Sequence, residues 1–504
     1  MPVSLNTGSL LGVEAFSVQV EVDIQRGLPA FNVVGLPDRA LQEARERVRA
    51  AIKNCDFHYP DNRITINLAP ADRRKEGPNF DLPIALGVLA AQGDFSGKAF
   101  DRCFITGELA LNGELRPVRG ILPLLDLAEK SGNNFFIFPA ASKEEITYPT
   151  QMELFPVNDL QEAFKLIRRL MRASDEVSPW QPQISSLPGR KNFSLPPIQG
   201  QRAALRAAAV AAAGRHNLMF FGPPGSGKTL IARTLPALLP PLTMKEQREV
   251  MLIASAAGEE IISHRPWRDP HHSITAAGLG GGGRSPTPGE VTLAHRGVLF
   301  LDELPEFDRR VLELLRQPLQ DGYINLVRHE YNLKLPADFM MVAALNPCPC
   351  GYLGAEDKKC SCTPGQIQSY RSKLSGPLLD RIDLQIEVPA LDAEEIIYKK
   401  PGKSPQEKYG NEVNEAWQRQ QKRNDGSCNG QIEPARLKEI CTIGRGEKRF
   451  LARVLKSLEL SRRGYDIILK LARTLADMDG EEKIEKSHLA EAVQYRSFER
   501  TVNL

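Results

Sequence analysis

The order of apolar and polar positions divides the chain into segments of different periodicity. In roughly the first 168 residues, runs of β-forming residues alternate with runs of helical spacing, which predicts an α/β domain that we end at residue 170. The β-type runs are Phe16–Val22, Ile64–Leu68, Phe104–Leu109 and Phe135–Pro139, and the helical runs are Ala40–Ile52, Phe80–Ala91 and Leu160–Met171.

Three further segments follow. Residues 171–197 are rich in Ser and Pro and predict an extended linker. Residues 198–390 contain more βα units, so a second α/β domain is expected there. Residues 391–504 begin with a polar, charged stretch up to about residue 432, which predicts a solvated insertion, and end in apolar spacing typical of a small helical bundle.

Bulk composition limits the partners. The net charge of +3 over 504 residues excludes a wholly basic nucleic-acid coat, so any contact with nucleic acid must come from a local patch. The longest apolar stretches, around Leu82–Ala91 and Ala203–Ala213, are shorter than the ~20 residues of a membrane-spanning helix. The N-terminus lacks the pattern of a secretory signal. We therefore expect a cytoplasmic protein without a membrane partner.

The segment from Gly222 to Thr229 has the pattern of a Walker A phosphate-binding loop. A run that predicts a buried strand precedes it, and a run of helical spacing follows it. Its glycines allow backbone N–H groups to surround one anion, Lys228 supplies a charge for the β- and γ-phosphates, and Thr229 is placed to bind Mg²⁺. The predicted nucleotide-binding residues are Gly222, Pro223, Pro224, Gly225, Ser226, Gly227, Lys228, Thr229 and, from the next motif, Asp302.

A second motif, Gly297–Glu303, makes hydrolysis the expected activity. Its apolar residues predict a buried parallel strand that ends in two carboxylates. Asp302 is predicted to hold Mg²⁺, and Glu303 is predicted to orient or polarise the attacking water. Together the two motifs predict an ATPase.

With these motifs in place, the chain resembles the AAA+ ATPases and, more closely, the Mg-chelatase-like branch called the ComM or YifB family. The resemblance extends over essentially the whole chain. It rests on the two motifs together with the segments Ile198–Gln201, Arg265–His272, Pro288–His295, Leu301–Phe307 and Asn346–Gly351. It implies an AAA+ nucleotide domain over residues 198–390 and a helical lid at the C-terminus.

The resemblance also implies roles for three polar residues. Asn346 matches sensor 1, and its amide could bind the γ-phosphate or the attacking water. Arg381 matches the arginine finger that reaches the ATP of a neighbouring subunit. Arg463 matches sensor 2 in the lid, next to Arg462, where the family usually has a small residue. A finger that acts on a neighbour implies a ring, which in AAA+ relatives is a hexamer.

Four of the eight cysteines form two Cys-x-Cys pairs, Cys348 with Cys350 and Cys360 with Cys362. Four thiolates can close a tetrahedral Zn²⁺ site, and the loop between the pairs has almost no apolar residues with which to fold by itself. We predict a structural zinc knuckle over residues 348–362. Reduced thiols in a flexible loop remain the alternative, since the pairs are spaced more tightly than the usual Cys-x-x-Cys.

Two further segments have the character of insertions that contact a substrate. The glycine-rich run Gly278–Arg284 predicts a mobile loop that faces the pore of a ring. Residues Tyr323–Leu335 resemble a presensor-1 hairpin, and its polar tip Arg328–Glu330 could grip a phosphodiester backbone or could simply support the sheet. The adjacent His271 and His272 are interpreted as structural or pore-lining.

Residues 61–120 resemble the proteolytic domain of Lon-type proteases, which has a ribosomal S5-like fold. Asn79 stands where active Lon proteins carry the nucleophilic serine, and an amide cannot form an acyl-enzyme. The stretch Gly120–Asp126 lacks the expected lysine base. The resemblance therefore implies a Lon-like scaffold without peptidase activity.

The leading hypothesis is a hexameric, ATP-driven motor on branched or single-stranded DNA. The resemblance implies branch migration or helicase activity in recombination or natural transformation. The alternatives are a metal-insertion ATPase of the Mg-chelatase type and another ATP-dependent protein-remodelling machine. The Lon-like domain and the lack of an integrin-type metal motif argue against a chelatase, and the lack of an aromatic pore loop argues against an unfoldase.

Overall fold

The computed structural model describes residues 2–94, 100–172, 177–182, 198, 200–283, 286–328, 331–355, 358–391, 404–458 and 461–496. The chain forms two compact units. One contains residues 1–188, 248–263 and 283–288, and the other contains residues 189–247, 264–282 and 289–504. Most of the predicted linker, and residues 392–403 of the predicted insertion, lie outside the described residues. None of the helices in the described ranges is both long enough and apolar enough to span a lipid bilayer.

The N-terminal unit is a mixed α/β domain. Its elements, in chain order, are β1 Val3–Leu11, β2 Glu14–Gln25, β3 Ala30–Val34, α1 Arg39–Asn54, β4 Arg63–Ala69, α2 Asp81–Ala91, β5 Cys103–Ile105, β6 Glu108–Leu109, β7 Leu115–Arg116, α3 Ile121–Lys130, β8 Phe135–Pro139, β9 Glu153–Val157 and α4 Leu160–Leu170. The main sheet has the order β3-β4-β2-β1-β5-β8-β9. Helix α2 is buried along nearly its whole length because almost all of its side chains are apolar.

The rest of the chain contains the remaining elements, of which β13 and the part of α8 from Arg248 onward belong to the N-terminal unit. In chain order they are α5 Arg202–Gly214, β10 Leu218–Phe221, α6 Lys228–Ala232, α7 Leu235–Leu238, α8 Met244–Ala257, β11 Trp267–Arg268, α9 Ala276–Gly280, β12 Gly281–Gly282, β13 Thr287–Pro288, α10 Glu290–Leu293, β14 Val298–Leu301, α11 Arg309–Leu314, α12 Pro318–Asp321, β15 Tyr323–Arg328, β16 Tyr331–Pro336, β17 Met340–Leu345, α13 Pro364–Arg371, α14 Gly376–Leu379, β18 Leu384–Glu387, α15 Pro405–Arg423, α16 Leu437–Ile440, α17 Arg445–Ser457, α18 Arg462–Asp479 and α19 Lys486–Gln494.

The second unit is built on a five-stranded parallel sheet in the order β11-β14-β17-β10-β18. One hydrophobic core joins this sheet to α5 and to the C-terminal helices α15, α18 and α19. The run Ala207–Ala213 in α5 is fully buried, and its small side chains let α15 and α18 approach closely. The predicted fold class, α/β with a helical C-terminal region, is confirmed, although the C-terminal helices share the core of the nucleotide domain.

Part of the predicted solvated insertion has a different structure. Residues Pro405–Arg423 form α15, which begins with a capping box at Ser404. Its buried side chains include Tyr409, Val413 and Ala416, which form one helical stripe among charged residues. Periodicity alone did not reveal this helix because the apolar stripe is narrow and the surrounding positions are almost all charged or polar.

The two predicted insertions differ in outcome. Strands β15 and β16 form an antiparallel hairpin with the backbone of Arg328 opposite Tyr331, while the tip residues and the side chain of Arg328 lie outside the described part of the chain. The glycine-rich run does not form the expected loop over residues 278–282, because Ala276–Gly280 is helical and residues 279–282 are buried, while Arg284 lies outside the described residues. A Cβ at Gly280 would lie 2.8 Å from a terminal methyl group of Leu314, so this helix packs closely against its neighbour.

Candidate nucleotide site

The loop between β10 and α6 curls because its glycines adopt conformations that other residues avoid. Gly225 and Gly227 have φ of 77° and 90°. A Cβ at Gly222 would lie 2.1 Å from the carbonyl oxygen of Val388, whereas a Cβ at Gly225 or Gly227 would meet nothing within 4 Å. Loops of this kind form a concavity that binds anions. The helical run after the loop is interrupted, since α6 ends at Ala232 and α7 begins again before Pro236.

Lys228 is the buried cation of this loop. Its Nζ donates to the carbonyl oxygens of Gly222 and Pro223, both at 2.8 Å, and to Oδ1 of Asn346 at 3.3 Å. The residue is 8% exposed. Burial lowers the pKa of Lys228, and the charge of Asp302 opposes this effect. The ammonium group is therefore held by neutral acceptors at the place where a phosphate would bind.

The two carboxylates of the second motif, Asp302 and Glu303, stand at the same end of the parallel strands as the loop. Strands β10, β14 and β17 are parallel, so the residues that follow them lie side by side. The hydroxyl of Thr229 donates to Oδ2 of Asp302 at 2.8 Å, and Oδ1 of Asp302 accepts from the backbone N–H of Glu303 at 2.9 Å. The structure thus brings together the two residues for which the sequence predicts Mg²⁺ binding.

Glu303 has an unusual backbone and lies beside a histidine. Its φ is 52°, in the left-handed region that a glutamate rarely adopts. Its side chain is 55% exposed, and its Oε2 lies 3.4 Å from Nδ1 of His272. The ring of His272 packs against that of His271, with 4.0 Å between centroids. Sequence reasoning missed this contact, because nothing in a His-His pair 31 positions away points to Glu303.

The cysteine segment packs against the phosphate loop. Asn346, which follows β17, binds Lys228, and Cys348 comes two residues later. Gly351 has φ of 84°, and a Cβ there would lie 2.7 Å from Cδ of Pro224. The loop and the cysteine segment therefore share a close backbone contact that only glycine allows.

The four cysteines of this segment converge on one point. All four sulfur atoms lie within 4.8 Å of one another, and three of the separations are 3.4, 3.5 and 3.7 Å. Ligands at the Zn–S distance of a tetrahedral site are ~3.8 Å apart, so the cysteines have nearly the spacing of a zinc site.

The protonation of these thiols also favours a cation. Backbone N–H donors of Tyr352 and Ser361 lower the pKa of Cys350 to about 5. The pKa of Cys360 is raised despite an N–H donor from Cys362, because burial and the neighbouring sulfurs oppose a further negative charge. A bound divalent cation would remove this repulsion among the four sulfurs.

Arg381 lies at the amino-terminal end of the parallel strands, whereas the phosphate loop lies at their carboxyl end. It precedes β18, whose first residue Leu384 pairs with Leu218 at the start of β10, whereas the loop follows the end of β10. The intervening strand is ~10 Å long at ~3.3 Å per residue. Nη1 of Arg381 donates to the carbonyl of Pro377 at 2.7 Å, and Nη2 donates to Oε1 of Gln320 at 2.6 Å. Arg381 therefore does not reach the phosphate loop of its own chain.

Arg463 lies close to Arg381. Burial and the positive charge of Arg463 lower the pKa of Arg381. The neighbouring Arg462 is engaged, since its Nε lies 3.2 Å from Oδ1 of Asp466, whereas Arg463 is exposed and has no side-chain partner among the described residues. The two arginines predicted to contact phosphate are thus grouped together, away from Lys228.

The N-terminal unit has a cavity of about 500 Å³ at the place of the Lon-like site. Asn79 and Leu124 both line it, and Nδ2 of Asn79 donates to the carbonyl of Gly8 at 2.7 Å. Among the described residues, none that lines the cavity carries a hydroxyl, thiol, imidazole or amine. The cavity wall therefore offers neither the serine nor the lysine of a Lon-type mechanism.

Comparisons with known proteins agree with this arrangement. Three family models match the chain: magnesium chelatase, subunit ChlI, over residues 194–396; subunit ChlI of Mg-chelatase over residues 20–142; and magnesium chelatase, subunit ChlI C-terminal, over residues 404–496. The competence protein ComM of Haemophilus influenzae is 41% identical over 97% of this chain and 96% of its own length. YifB of Escherichia coli is 39% identical over 98% of this chain and 97% of its own length.

A more distant similarity concerns part of the chain. Lon protease 2 of Bacillus subtilis is 26% identical over 195 residues, which are 36% of this chain and 34% of that protein. The likeness to Lon is therefore partial, whereas the likeness to ComM and YifB spans both units. The chain belongs to the ComM/YifB family of Mg-chelatase-like AAA+ ATPases.

Proposed function

We propose that this protein is an ATP-hydrolysing motor that acts on DNA as a ring-shaped homo-oligomer, a hexamer as in AAA+ relatives, with branch-migration or helicase activity. The observation that supports it most is the meeting of Lys228, Thr229, Asp302 and Asn346 at one sheet edge, with Glu303 beside them. The choice of DNA as substrate is supported by the similarity to a relative named as a competence protein.

The residues present fit ATP and Mg²⁺. The Oγ of Ser226 is buried in the loop without a hydrogen-bond partner, as expected where phosphate oxygens bind. Thr229 and Asp302 would hold Mg²⁺, which neutralises phosphate charge when bound. Glu303 would orient the attacking water, and Asn346 would hold that water or the γ-phosphate with a neutral amide.

The arginines complete the site from a second subunit. Because Arg381 and Arg463 lie away from their own phosphate loop, they would contact nucleotide bound to a neighbour. A guanidinium suits this role, since it remains charged and offers several donors to phosphate oxygens. Such head-to-tail contacts close into a ring when the rotation between subunits allows it.

The test combines hydrolysis with DNA remodelling. ATP turnover is measured without DNA and with single-stranded, duplex and forked DNA, and strand displacement is followed on the forked substrate. We expect faster turnover with DNA and displacement that requires ATP. Unchanged turnover, together with no retention of DNA at low salt, would overturn the proposal.

The cysteine segment is proposed to hold a structural Zn²⁺ through Cys348, Cys350, Cys360 and Cys362. Metal analysis of protein purified without added zinc should find about one zinc per chain. Protein with four freely reactive thiols and no metal would contradict this part.

A chelatase-type ATPase is the second candidate, favoured by the three matches to models of the Mg-chelatase subunit. One of these matches covers residues 20–142, so the N-terminal domain by itself does not separate the two functions. Stimulation of turnover by DNA would favour the motor, whereas stimulation only by a porphyrin and its chelatase partner subunits would favour the chelatase. For the proposed DNA motor we also propose a cytoplasmic location and no peptidase activity.

A further inference from the structure

Helix α17 (Arg445–Ser457) has one face that consists almost entirely of positive charges. Five of its exposed residues are cations, and the sixth residue on this face is Ala452; the cations are Arg445, Lys448, Arg449, Arg453 and Lys456. At 100° per residue these cations fall within about 140° of the helix circumference, and at 1.5 Å per residue they extend over about 16 Å.

These five cations have no side-chain partner among the described residues, in contrast to other arginines of the same unit. Arg206, for example, lies within 3.4 Å of Glu412, Asp479 and Glu491, and Arg423 binds Asp477 through two hydrogen bonds. The one acid in α17, Glu447, lies outside the basic face, so no ion pair along the helix offsets the charge. Like charges this close repel one another, and an anionic partner would relieve that repulsion.

The opposite face of α17 is packed against the rest of its unit. Phe450, Val454, Leu455 and Leu458 pack against the hydrophobic core of the second unit, and Leu451 is buried in it. An amphipathic helix that binds a membrane needs its apolar side free to enter the lipid. Because that side is occupied here, α17 can present only its charges, and it holds them on a packed, well-anchored helix.

We propose that the basic face of α17 binds the phosphate backbone of nucleic acid. This inference rests on the proposed function, for which it names the surface that holds DNA. The face carries no exposed aromatic residue that could stack on a base, so its contacts would go to phosphates and would not depend on base sequence. Duplex and single-stranded DNA would both bind, and binding would weaken as salt is added.

The test replaces three of the cations together, as K448Q/R449Q/R453Q, in the full-length protein. DNA binding is measured by fluorescence anisotropy with a labelled duplex and a labelled single strand over a range of salt concentrations. Losing three phosphate contacts should weaken binding about 10- to 100-fold at moderate salt. It should also make the slope of log K against log salt shallower by about 2.7 for the duplex and about 2.1 for the single strand.

Two control variants separate the face from net charge and from folding. R26Q/K53Q/K165Q removes three exposed cations from the N-terminal unit and should leave affinity and slope unchanged. K448R/R449K/R453K keeps the charges of α17 and should bind as the wild type does. The ATP turnover of all three variants without DNA should match the wild type, which shows that they are folded.

The outcomes are distinguishable. If the wild-type protein binds no DNA, the proposed function fails and this inference fails with it. If the wild type binds DNA and the three glutamines leave affinity and salt slope unchanged, only this inference is overturned. It is also overturned if the glutamine variant loses binding to phosphatidylserine vesicles but not to DNA, since a lipid would then be the partner. Loss of oligomeric assembly along with DNA binding would overturn it as well, since a second copy of the chain would then be the partner.

Discussion

At the scale of single residues, the site depends on how one carboxylate is held. Glu303 sits at the end of β14 with φ of 52°, a backbone conformation that costs of order 1–3 kcal/mol in a residue other than glycine. Oε2 of its exposed carboxylate lies 3.4 Å from Nδ1 of His272. The local backbone and one distant side chain therefore determine where this carboxylate points.

Replacing Glu303 by glutamine should reduce ATP turnover by about 10²- to 10⁴-fold, because the amide cannot polarise water. ATP binding should change little, since Lys228, Thr229 and Asp302 remain. Turnover and nucleotide affinity are measured on the same preparation. Undiminished turnover in E303Q would remove Glu303 from the mechanism.

His272 is predicted to act as a positioning residue for Glu303. In H272A we expect turnover to fall about 5- to 10-fold, since a misplaced catalytic group loses part of its effect, while KM for ATP stays the same. H271A is the matched control and should be closer to the wild type, because His271 contacts Ser273 and the ring of His272 but not Glu303. Equal kinetics for H272A and the wild type, or a change in KM alone, would rule this role out.

The buried Asp81 predicts a pH dependence of stability. Burial raises the pKa of Asp81 from 3.8 to about 6, even though Arg47 donates two hydrogen bonds to it and opposes the shift. Between pH 4 and pH 6 the folded state therefore holds a proton that the unfolded chain has lost, so stability falls as pH rises through this window. Relative to D81N, the wild-type unfolding free energy should fall by about 2 kcal/mol from pH 4 to pH 6, out of about 3 kcal/mol over the whole titration.

Urea unfolding of both proteins across this range measures the difference, because other carboxylates contribute equally to each. A wild-type advantage that grows as pH rises would mean that Arg47, and not burial, dominates the pKa of Asp81.

At the scale of elements, the sheet and the cysteine segment form one support for the phosphate loop. The parallel strands β10, β14 and β17 deliver the loop, Asp302 and Asn346 to the same edge. The cysteine segment then returns against the loop where Gly351 meets Pro224. A periodic pattern predicts each strand, but the contact between Gly351 and Pro224 joins positions 127 residues apart and has no local signal.

If the cysteine segment holds the proposed Zn²⁺, removing that metal should weaken nucleotide binding. In C360S/C362S we expect no bound zinc and ATP affinity reduced about 3- to 10-fold, because second-layer support of a site typically matters by this much or more. C55S is the control, because it removes a thiol from the N-terminal unit and not from the cysteine segment. The thiol of Cys55 donates to the carbonyl of Asn112. Zinc content and nucleotide affinity are measured on the same preparation. Unchanged nucleotide affinity in zinc-free protein would mean that the cysteine segment does not support the phosphate loop.

At the scale of the whole molecule, one chain contains the residues proposed for the site but does not bring all of them together. Lys228 and Glu303 lie at the carboxyl end of the parallel strands. Arg381 lies at their amino-terminal end, with Arg463 near it. The sequence predicts the residue types, while the parallel pairing of β10 with β18 places Arg381 at the opposite end of the strands from its own loop. This arrangement favours activity in an assembly over activity in a monomer.

Mixing two inactive variants tests that division. K228A and R381A should each hydrolyse ATP poorly. An equal mixture should regain roughly a quarter of the wild-type activity, because random assembly pairs an intact phosphate loop with an intact Arg381 at about that share of the subunit interfaces. The mixture is compared with each variant at the same total concentration. No recovery, in a mixture shown to form mixed oligomers, would mean that each chain uses its own Arg381.

Features that depend only on neighbouring residues could be predicted from the sequence. The phosphate loop, the paired carboxylates and the Cys-x-Cys pairs are each set by a few consecutive positions, so their chemistry can be recognised without a fold. Which charges are paired and which are not could be seen only in the folded chain, because the partners come from distant parts of the sequence. Arg423 meets Asp477 and His272 meets Glu303 only after folding, whereas the basic face of α17 remains unpaired. The physical reason is that an ion pair depends on distance in space, and sequence spacing sets that distance only within a turn or two of one element.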